Sequence, residues 1–370
     1  MAQTYFASIQ PGLEEALLSE IRRLGGKRPT VLRGGVEFDA ARKTLYAAHL
    51  ELSTPTRIWL RVDEFRARDA PELYNKTRRY GWERLLGGNH RIAIRAHSSK
   101  SSLYHTGKIS DAVRDGLRDH FAEDLDGASP PDFTDERGDS DQLVMARLHD
   151  NRCQLNLDAS GALLHRRGWR TEAGEAPLRE TIAAAILECI DWEPQWGLVD
   201  PMCGSATIPI EAARRAIGYP PGLDRSFAFQ RWRNFQPDRF EAKTQELRAQ
   251  IGSELPAPIV GRDRDDEVLA MAARNAERAD LSSLVDLDVA ELSDTPLPES
   301  TAWIVTNPPY GERLEGDGVL DALLAAWRSG TAKRKVAFLW PSSRRDEVNE
   351  SLQCRTTFEN GGIGVDLWCG

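Results

Sequence analysis

The chain has 370 residues, 41% of them apolar, so it is long enough for two or three domains around a large buried core. No apolar run approaches the ~18 residues of a membrane span, and the N-terminus lacks the basic start and apolar stretch of a secretory signal. The five cysteines include no C-x-x-C pair, which argues against a disulfide framework and a zinc site. We therefore expect a globular cytoplasmic protein with no membrane or metal partner.

The net charge of −9 is divided unevenly along the chain. Residues 1–120 carry 21 basic and 14 acidic side chains, a balance of +7, whereas residues 121–370 have a balance of −16. An acidic body with a basic N-terminal third is compatible with a separate RNA-holding module. Charge alone equally allows a chance asymmetry on solvated surfaces.

The first 165 residues are predicted to form two α/β units. For residues 1–65, the pattern predicts strand 5–9, helix 13–24 stopped by two glycines, strand 35–38, helix 40–50 and strand 57–62. For residues 66–165, it predicts helix 70–84, strand 91–95, helix 110–120, a disordered or long-loop segment 123–141, and a hairpin of strands 143–148 and 154–158. The hairpin is predicted to turn at Asp150-Asn151.

From about residue 177 the pattern becomes a regular βα alternation, which predicts a parallel sheet covered on both faces. The predicted helices are 177–190, with Pro177 at the first position, 208–217, 267–279, 319–328 and 345–352. The predicted strands are 197–200, 259–263, 285–289, 303–306 and 336–340. A closing hairpin, 356–359 and 363–368, turns at Asn360-Gly361-Gly362. A long insertion, about 219–257, separates the first two strands.

The first motif with chemical content is Asp200-Pro-Met-Cys-Gly204-Ser205-Ala206-Thr207, between a strand and a helix. In doubly wound sheets ligands bind at the carboxyl ends of the strands, and small residues let backbone N–H groups approach them. Asp200 would repel a phosphate but suits a cation such as the methionine amino group of S-adenosylmethionine. By itself the loop is equally compatible with an ordinary βα turn.

A second acidic position, Asp263, ends the next predicted strand. Acidic residues at this point of such units typically bind ribose hydroxyls. Asp265 and Asp266 follow closely, and a common role for aspartates there is to cap the next helix.

The third motif, Thr306-Asn307-Pro308-Pro309-Tyr310, follows the fourth strand. The exocyclic amine of a base is a poor nucleophile because its lone pair is delocalised into the ring. The Asn307 side-chain oxygen and the Pro308 carbonyl can accept both amine hydrogens and turn that lone pair towards a methyl donor. The prolines stiffen the backbone, and Tyr310 offers a face on which a flipped base can stack.

These motifs resemble those of class I S-adenosylmethionine-dependent amino-methyltransferases. Four further segments, Ala176–Thr181, Ile208–Ala212, Asn307–Leu314 and Asn360–Ile363, resemble the bacterial THUMP-domain RNA guanine-N2 methyltransferases, including the enzyme that acts on 23S ribosomal RNA. The resemblance implies an α/β chain with a ferredoxin-like domain (1–65), a THUMP RNA-binding domain (66–165) and a methyltransferase domain (166–370). The last would be a Rossmann-like class I sheet with an antiparallel C-terminal hairpin.

The resemblance also implies the site residues. The cofactor would be lined by Asp200, Met202, Cys203, Gly204, Ala206, Thr207, Asp263, Arg264, Asp288 and Val289, and the target base would be held by Asn307, Pro308, Pro309 and Tyr310. In one departure, Ala206 stands where the family loop usually has its second glycine. An alanine there costs about 1 kcal/mol or more if the backbone needs a positive φ.

Candidate RNA contacts lie in the basic third of the chain. Hydroxyls, cations and a helix N-terminus are the usual phosphate donors, and the segment 98–108 combines them. The candidates are Lys76, Arg78, Lys100, Tyr104 and Lys108. The alternative is a solvated surface. Two histidines, His105 and His165, have no ligand-spaced partners, and Trp232 either borders an RNA entrance or packs the insertion.

The sequence therefore predicts S-adenosylmethionine-dependent methylation of the exocyclic N2 of a guanosine in RNA, with 23S ribosomal RNA favoured over tRNA. Two alternatives share the chemistry: a tRNA guanosine-N2 methyltransferase and an adenine-N6 DNA methyltransferase. A third, from another class, is an RNA-binding protein whose methyltransferase domain is inactive, and Ala206 is the feature that favours it.

Overall fold

The computed structural model describes residues 2–88, 90–123, 131–135, 141–172, 178–292, 297, 303–309, 318–329 and 334–370. They form two sheets flanked by helices. The strands of the N-terminal sheet are β1 (Gln3–Ser8), β2 (Lys27–Leu32), β3 (Gly35–Ala40), β4 (Arg57–Arg66), β5 (Arg91–Ser99), β6 (Asp132–Thr134), β7 (Gln142–His149) and β8 (Arg152–Asp158). Its helices are α1 (Glu14–Leu24), α2 (Arg42–Glu51), α3 (Ala70–Arg79) and α4 (Thr106–Glu123). The strand order is β2-β3-β1-β4-β8-β7-β5-β6.

Strand β4 joins the two predicted α/β units into this one sheet. Its first half pairs with β1, where Leu60 lies opposite Tyr5, and it pairs with β8 along its length, from Trp59 opposite Asp158 to Arg66 opposite Arg152. Ile58 and Leu60 are fully buried on the helix-covered face. Each such side chain contributes ~1.5–3 kcal/mol on burial, which fixes the register of β4.

The structure of the N-terminal half confirms some of the elements predicted from the sequence and corrects others. The predicted turn at Asp150 and Asn151 is confirmed, and both residues have positive φ, as a tight hairpin turn requires. The predicted helix 70–84 is wrong in its second half, because α3 ends at Arg79 and only a 3-10 turn, Trp82–Arg84, follows. There the Trp82 indole N–H donates to the Thr77 carbonyl at 2.8 Å. Within the segment 123–141, β6 is ordered, and 124–130 and 136–140 lie outside the described residues.

The C-terminal sheet confirms the predicted fold class. Its helices are α5 (Glu180–Cys189), α6 (Thr207–Ala216), α7 (Pro237–Arg248), α8 (Asp266–Arg278) and α9 (Val319–Arg328). Its strands are β9 (Leu198–Asp200), β10 (Ile259–Asp263), β11 (Val285–Val289), β12 (Trp303–Thr306), β13 (Lys335–Pro341), β14 (Gln353–Asn360) and β15 (Ile363–Cys369). The order β11-β10-β9-β12-β13-β15-β14 puts five parallel strands beside an antiparallel pair. The direction of winding reverses between β9 and β12, where such sheets bind ligands.

Two predicted helices of this half need correction. The helix predicted from Pro177 starts later, at Glu180, because Arg179 is extended, and Pro177 itself lies outside the described residues. The predicted helix 345–352 is wrong. A short 3-10 segment, Ser342–Glu347, stands there instead, and the Arg345 guanidinium forms two 2.8 Å hydrogen bonds to the Asp366 carboxylate. That tertiary ion pair outweighs the local helical pattern.

The insertion before β10 folds onto the N-terminal part of the chain. Helix α7 packs against α2, and Trp232 is buried, with its indole N–H donating to Gln142 at 2.8 Å. Trp232 thus packs the insertion and does not border an entrance. Within the described ranges, no helix has the length and apolar character that crossing a membrane requires.

Candidate active site

The loop between β9 and α6 is held by two carboxylates. Asp200 ends β9, is almost fully buried, and accepts the Met202 N–H at 3.2 Å. Asp263 ends the neighbouring β10 and accepts the Gly204 N–H at 2.9 Å. Since the two strands are parallel neighbours, both carboxylates reach the same end of the sheet. A carboxylate has about four acceptor positions, so both side chains can still bind a ligand.

Close packing behind the loop depends on Gly261 in β10. A Cβ there would lie 2.8 Å from Leu287, 3.2 Å from the Cys203 sulfur and 3.3 Å from Pro209. The glycine therefore lets α6 and the loop approach the sheet. A 2.7 Å hydrogen bond from the Cys203 N–H to the Arg262 carbonyl fixes this approach. Burial also raises the pKa of the Cys203 thiol well above its ordinary value, which disfavours the reactive thiolate form.

Ala206 adopts the left-handed conformation, with φ 60° and ψ 31°, directly before α6. Glycine adopts this conformation at little steric cost, whereas a residue with a Cβ does so rarely. An alanine here raises the energy of the folded loop by ~1 kcal/mol. The backbone still closes the turn, because the Ala206 N–H donates to the Cys203 carbonyl at 2.9 Å.

The electrostatics of the loop favour a cationic ligand. Burial raises the pKa of Asp200 to about 7, and the nearby charge of Asp263 acts in the same direction. A cationic group placed beside them would restore the ionised form, because an opposite charge lowers the pKa of a carboxyl group. The ammonium and sulfonium groups of S-adenosylmethionine are such cations.

The remaining predicted cofactor residues lie nearer the solvent. Asp288 and Val289 end β11, where Val289 is 58% exposed, and Arg264 is exposed after β10. The Asp288 carboxylate lies 4.0 Å from the Arg262 guanidinium. Asp288 also lines a cleft of about 510 Å³ between α8 and β11. Asp263 and Asp288 lie near the ends of two adjacent strands. For Arg264 and Val289, the described residues show no side-chain contact that points to a ligand.

The Asn-Pro-Pro segment follows β12, beside the carboxylates. The register sets Ile304 opposite Val199, so Asn307 emerges next to the end of β9. The Asn307 side-chain oxygen is buried and has no hydrogen-bond partner within the described ranges. Pro308 is buried, Pro309 is exposed, and Tyr310 lies outside the described residues.

Sequence reasoning assigned no role to Arg170 and Glu180, which hold Thr207. The Arg170 guanidinium donates to the Thr207 hydroxyl at 3.4 Å, to the Leu178 carbonyl at 2.6 Å and to Glu180 at 2.8 Å. Burial raises the pKa of Glu180 to about 7. Glu180 falls in the segment Ala176–Thr181, which carries the family resemblance, and that was the available signal for this pair.

The predicted RNA contacts lie on the other sheet. Lys100, Tyr104 and Lys108 are exposed around the N-terminus of α4, and Tyr104 is 69% exposed with its ring 5.1 Å from that of His105. Lys76 is exposed on α3, whereas Arg78 pairs with Glu123. In the part of the chain that the structure describes, no three His, Cys, Asp or Glu side chains meet as a metal site would require.

Three family models match the chain in succession. They are an RlmL ferredoxin-like domain at residues 4–59, a THUMP domain at 67–134 and an RMKL-like methyltransferase domain at 167–337. The chain has the domain set of the RlmL-like THUMP RNA methyltransferases. A protein of Synechocystis sp. named for RNA methyltransferase activity is 29% identical over 98% of this chain and 95% of its own length.

Solved structures agree with this assignment. The methyltransferase SMU.472, bound to S-adenosylhomocysteine, is 26% identical, with a TM-score of 0.87 over 100% of this chain and 97% of its own. A Listeria monocytogenes protein, described as a predicted N6-adenine-specific DNA methylase, is 27% identical, with a TM-score of 0.86 over 99% and 96%. The chain thus carries a THUMP domain followed by an S-adenosylmethionine-dependent methyltransferase domain.

Proposed function

We propose that this chain methylates the exocyclic N2 of a guanosine in RNA, and that the RNA is 23S ribosomal RNA. In the reaction a new N–C bond forms between the base amine and the methyl carbon. The bond from that carbon to the sulfonium breaks, and the amine loses one proton. No step requires a metal, so the protein contributes positioning and desolvation.

The proposal is carried by the Asn307 side-chain oxygen, which is buried and has no hydrogen-bond partner among the described residues. A buried acceptor without a partner is costly unless a ligand supplies the donor. An exocyclic amine has two hydrogens, and the Pro308 carbonyl is the expected acceptor for the second. We assign base stacking to Tyr310, which completes the motif.

We assign the cofactor to the loop with Asp200 and Asp263. The methionine ammonium would lie by Asp200, and the ribose hydroxyls by Asp263 and Asp288. We assign RNA contacts to Lys76, Lys100, Tyr104 and Lys108, on the basic part of the chain. Arg78 is the weakest of the predicted contacts because Glu123 already balances its charge. We propose domains at 1–65, 66–165 and 166–370, the first two sharing one sheet through β4, and the cytoplasm as the location.

The test is to incubate the purified chain with methyl-labelled S-adenosylmethionine and total RNA from a strain that lacks the protein. The RNA is then fractionated and digested to nucleosides. We expect label in N2-methylguanosine from the 23S fraction. Label in N2-methylguanosine from tRNA would instead support the tRNA alternative.

Two controls separate the remaining alternatives. Genomic DNA from the same strain replaces RNA in a parallel reaction, and N6-methyladenine there would favour the DNA alternative suggested by the Listeria relative's description. Calorimetry with S-adenosylhomocysteine tests the cofactor loop directly. No binding at millimolar ligand would favour the inactive RNA-binding protein.

A further inference from the structure

A second cavity, of about 260 Å³, lies far along the chain from the catalytic loop. It sits at the seam between α2 and α7. Its lining is polar and basic, and consists of Gln3, Ala41, Arg42, Lys43, Gln236 and Arg239. The catalytic residues are absent from this lining, so the cavity is distinct from the site already described.

The three cations of this cavity have no carboxylate partner within the described ranges. A nearby cation behaves differently: Lys243, one turn along α7 from Arg239, pairs with Glu51 at 3.2 Å and with Glu246 at 3.1 Å. The carboxylates of this seam, Glu51 and Glu246, therefore form ion pairs with Lys243. The charges of Arg42, Lys43 and Arg239 are left for another anion.

The positions of these cations oppose helix stability. Arg42 and Lys43 are the first two residues of α2, and Arg239 is the third of α7. A helix N-terminus carries partial positive charge, so cations there are unfavourable. The flanking residues, Ala41 and Gln236, provide no side-chain cap, so first-turn backbone N–H groups are available to an anion; α7 offers fewer of them, because Pro237 has none.

The cavity is held rigidly by the packing beneath it. The Gln236 N–H donates to the Tyr46 hydroxyl at 3.0 Å, which ties the start of α7 to α2. The Tyr46 ring lies 5.7 Å from those of Phe235 and Phe240 and 5.2 Å from that of Phe229. An anion site on this seam is therefore formed before the ligand arrives.

We propose that this cavity binds a phosphate group of the substrate RNA backbone. Two guanidinium groups, one ammonium and two uncapped helix ends converge on it, which is the donor set that phosphates select. No acidic side chain lines the cavity to hold a metal ion, and no aromatic side chain lines it to stack a base. The proposal rests on the proposed RNA substrate, and it makes α7 of the methyltransferase region a direct RNA contact.

The test compares the full-length chain with the triple variant Arg42→Gln, Lys43→Gln, Arg239→Gln. Binding of a labelled 23S ribosomal RNA fragment is measured without cofactor at several salt concentrations. We expect about tenfold weaker binding at low salt, and a slope of log affinity against log salt that is smaller by about one. Affinity for S-adenosylhomocysteine and the melting temperature should not fall.

A charge-matched control is Arg22→Gln, Lys27→Gln, Arg33→Gln, which removes three exposed cations of the N-terminal domain that lie outside the cavity. It should leave RNA affinity and the salt slope near those of the native chain. The proposal is overturned if the two triple variants bind RNA alike. The assay measures RNA binding without methyl transfer. Its result therefore tests the phosphate site even if the methylated atom is not N2 of a guanosine.

Discussion

Two sites in this molecule sit at helix N-termini, yet they carry opposite charge. The loop before α6 presents Asp200 and Asp263, whereas the seam of α2 and α7 presents Arg42, Lys43 and Arg239. Neither site has a side-chain cap on its helix, so the helix ends alone would favour an anion in each. Side chains in front of the helix therefore decide the sign of the ligand.

The two sites also differ in how they use burial. Asp200 is 2% exposed and its carboxyl group is strongly desolvated, whereas Lys43 and Arg239 are exposed. The buried site suits chemistry, because interactions in a dry environment are strong and directional. The exposed site suits holding a long polyanion, where many weak contacts add up.

The largest expected effect is that of Asn307→Ala. It should lower single-turnover methylation of the RNA by ~10²–10³, the usual loss when one preorganised transition-state hydrogen bond is removed. Affinities for S-adenosylhomocysteine and for RNA should stay nearly unchanged, because Asn307 is argued to contact only the target amine. The measurement is single-turnover kinetics with both affinities determined in parallel.

The comparison variant is Pro309→Ala, which should lower turnover much less than Asn307→Ala, because Pro309 is exposed and is expected only to stiffen the segment. Tyr310→Phe should also be mild, and Tyr310→Ala should cost ~1–3 kcal/mol of base interaction. If Asn307→Ala kept near-native turnover, Asn307 would have no role in the reaction. The contrast between a catalytic site and an RNA-binding cavity would then fail.

The second prediction concerns pH. Because the pKa of Asp200 is raised to about 7, the ligand-free loop keeps a proton that a cationic ligand must displace. Affinity for S-adenosylhomocysteine should thus weaken about tenfold from pH 7 to about pH 5.5. Stability of the ligand-free chain should change the other way. It falls as the pH rises from about 4 towards 7, since the unfolded carboxyl group has already lost its proton.

Asp200→Asn is the control for this pH dependence. The amide has the same shape and no titration, so affinity should be low and flat across the same range. An unchanged pH profile in Asp200→Asn would assign the titration to another group and would undo the electrostatic contrast between the two sites. Isothermal titration calorimetry in two buffers of different ionisation enthalpy would also count the released proton.

The smallest expected effect is on stability. Ala206→Gly should raise the free energy of unfolding by about 1 kcal/mol, because glycine adopts a φ of 60° without steric cost. The comparison variant is Ala270→Gly, at an exposed position inside α8, which should lower it by ~0.5–1 kcal/mol. Denaturant titration measures the free energy of unfolding of both variants. An equal loss in the two variants would contradict the proposed strain at Ala206.

Much of the C-terminal half could be predicted from sequence because its signals are local. Apolar strands alternate with helices, the Asn360-Gly361-Gly362 turn sets the last hairpin, and Asp265 caps α8 through the Glu267 and Val268 N–H groups. The fold class followed from these signals, whereas the family and the cofactor followed from the resemblance carried by the motifs between them.

The rest depended on contacts between distant residues. Strand β2 is an exposed edge strand with a proline and no alternation, so it gave no periodic signal. The Arg345–Asp366 pair replaces a predicted helix, and no local pattern reports it. The basic cavity joins Lys43 of α2 to Gln236 beside α7, 193 positions further along the chain, and the packing of α7 on α2 brings them together.

Strand β4 has a consequence for the nascent chain. Its partner β8 lies about 90 residues further along, with the whole of α3, β5, α4 and β7 between them. Until residue 158 has left the ribosome, the side of β4 that will meet β8 is an open edge, and open edges recruit other strands. The N-terminal sheet is therefore completed late, as one cooperative unit, and a cut at residue 65 would divide a strand that both halves need.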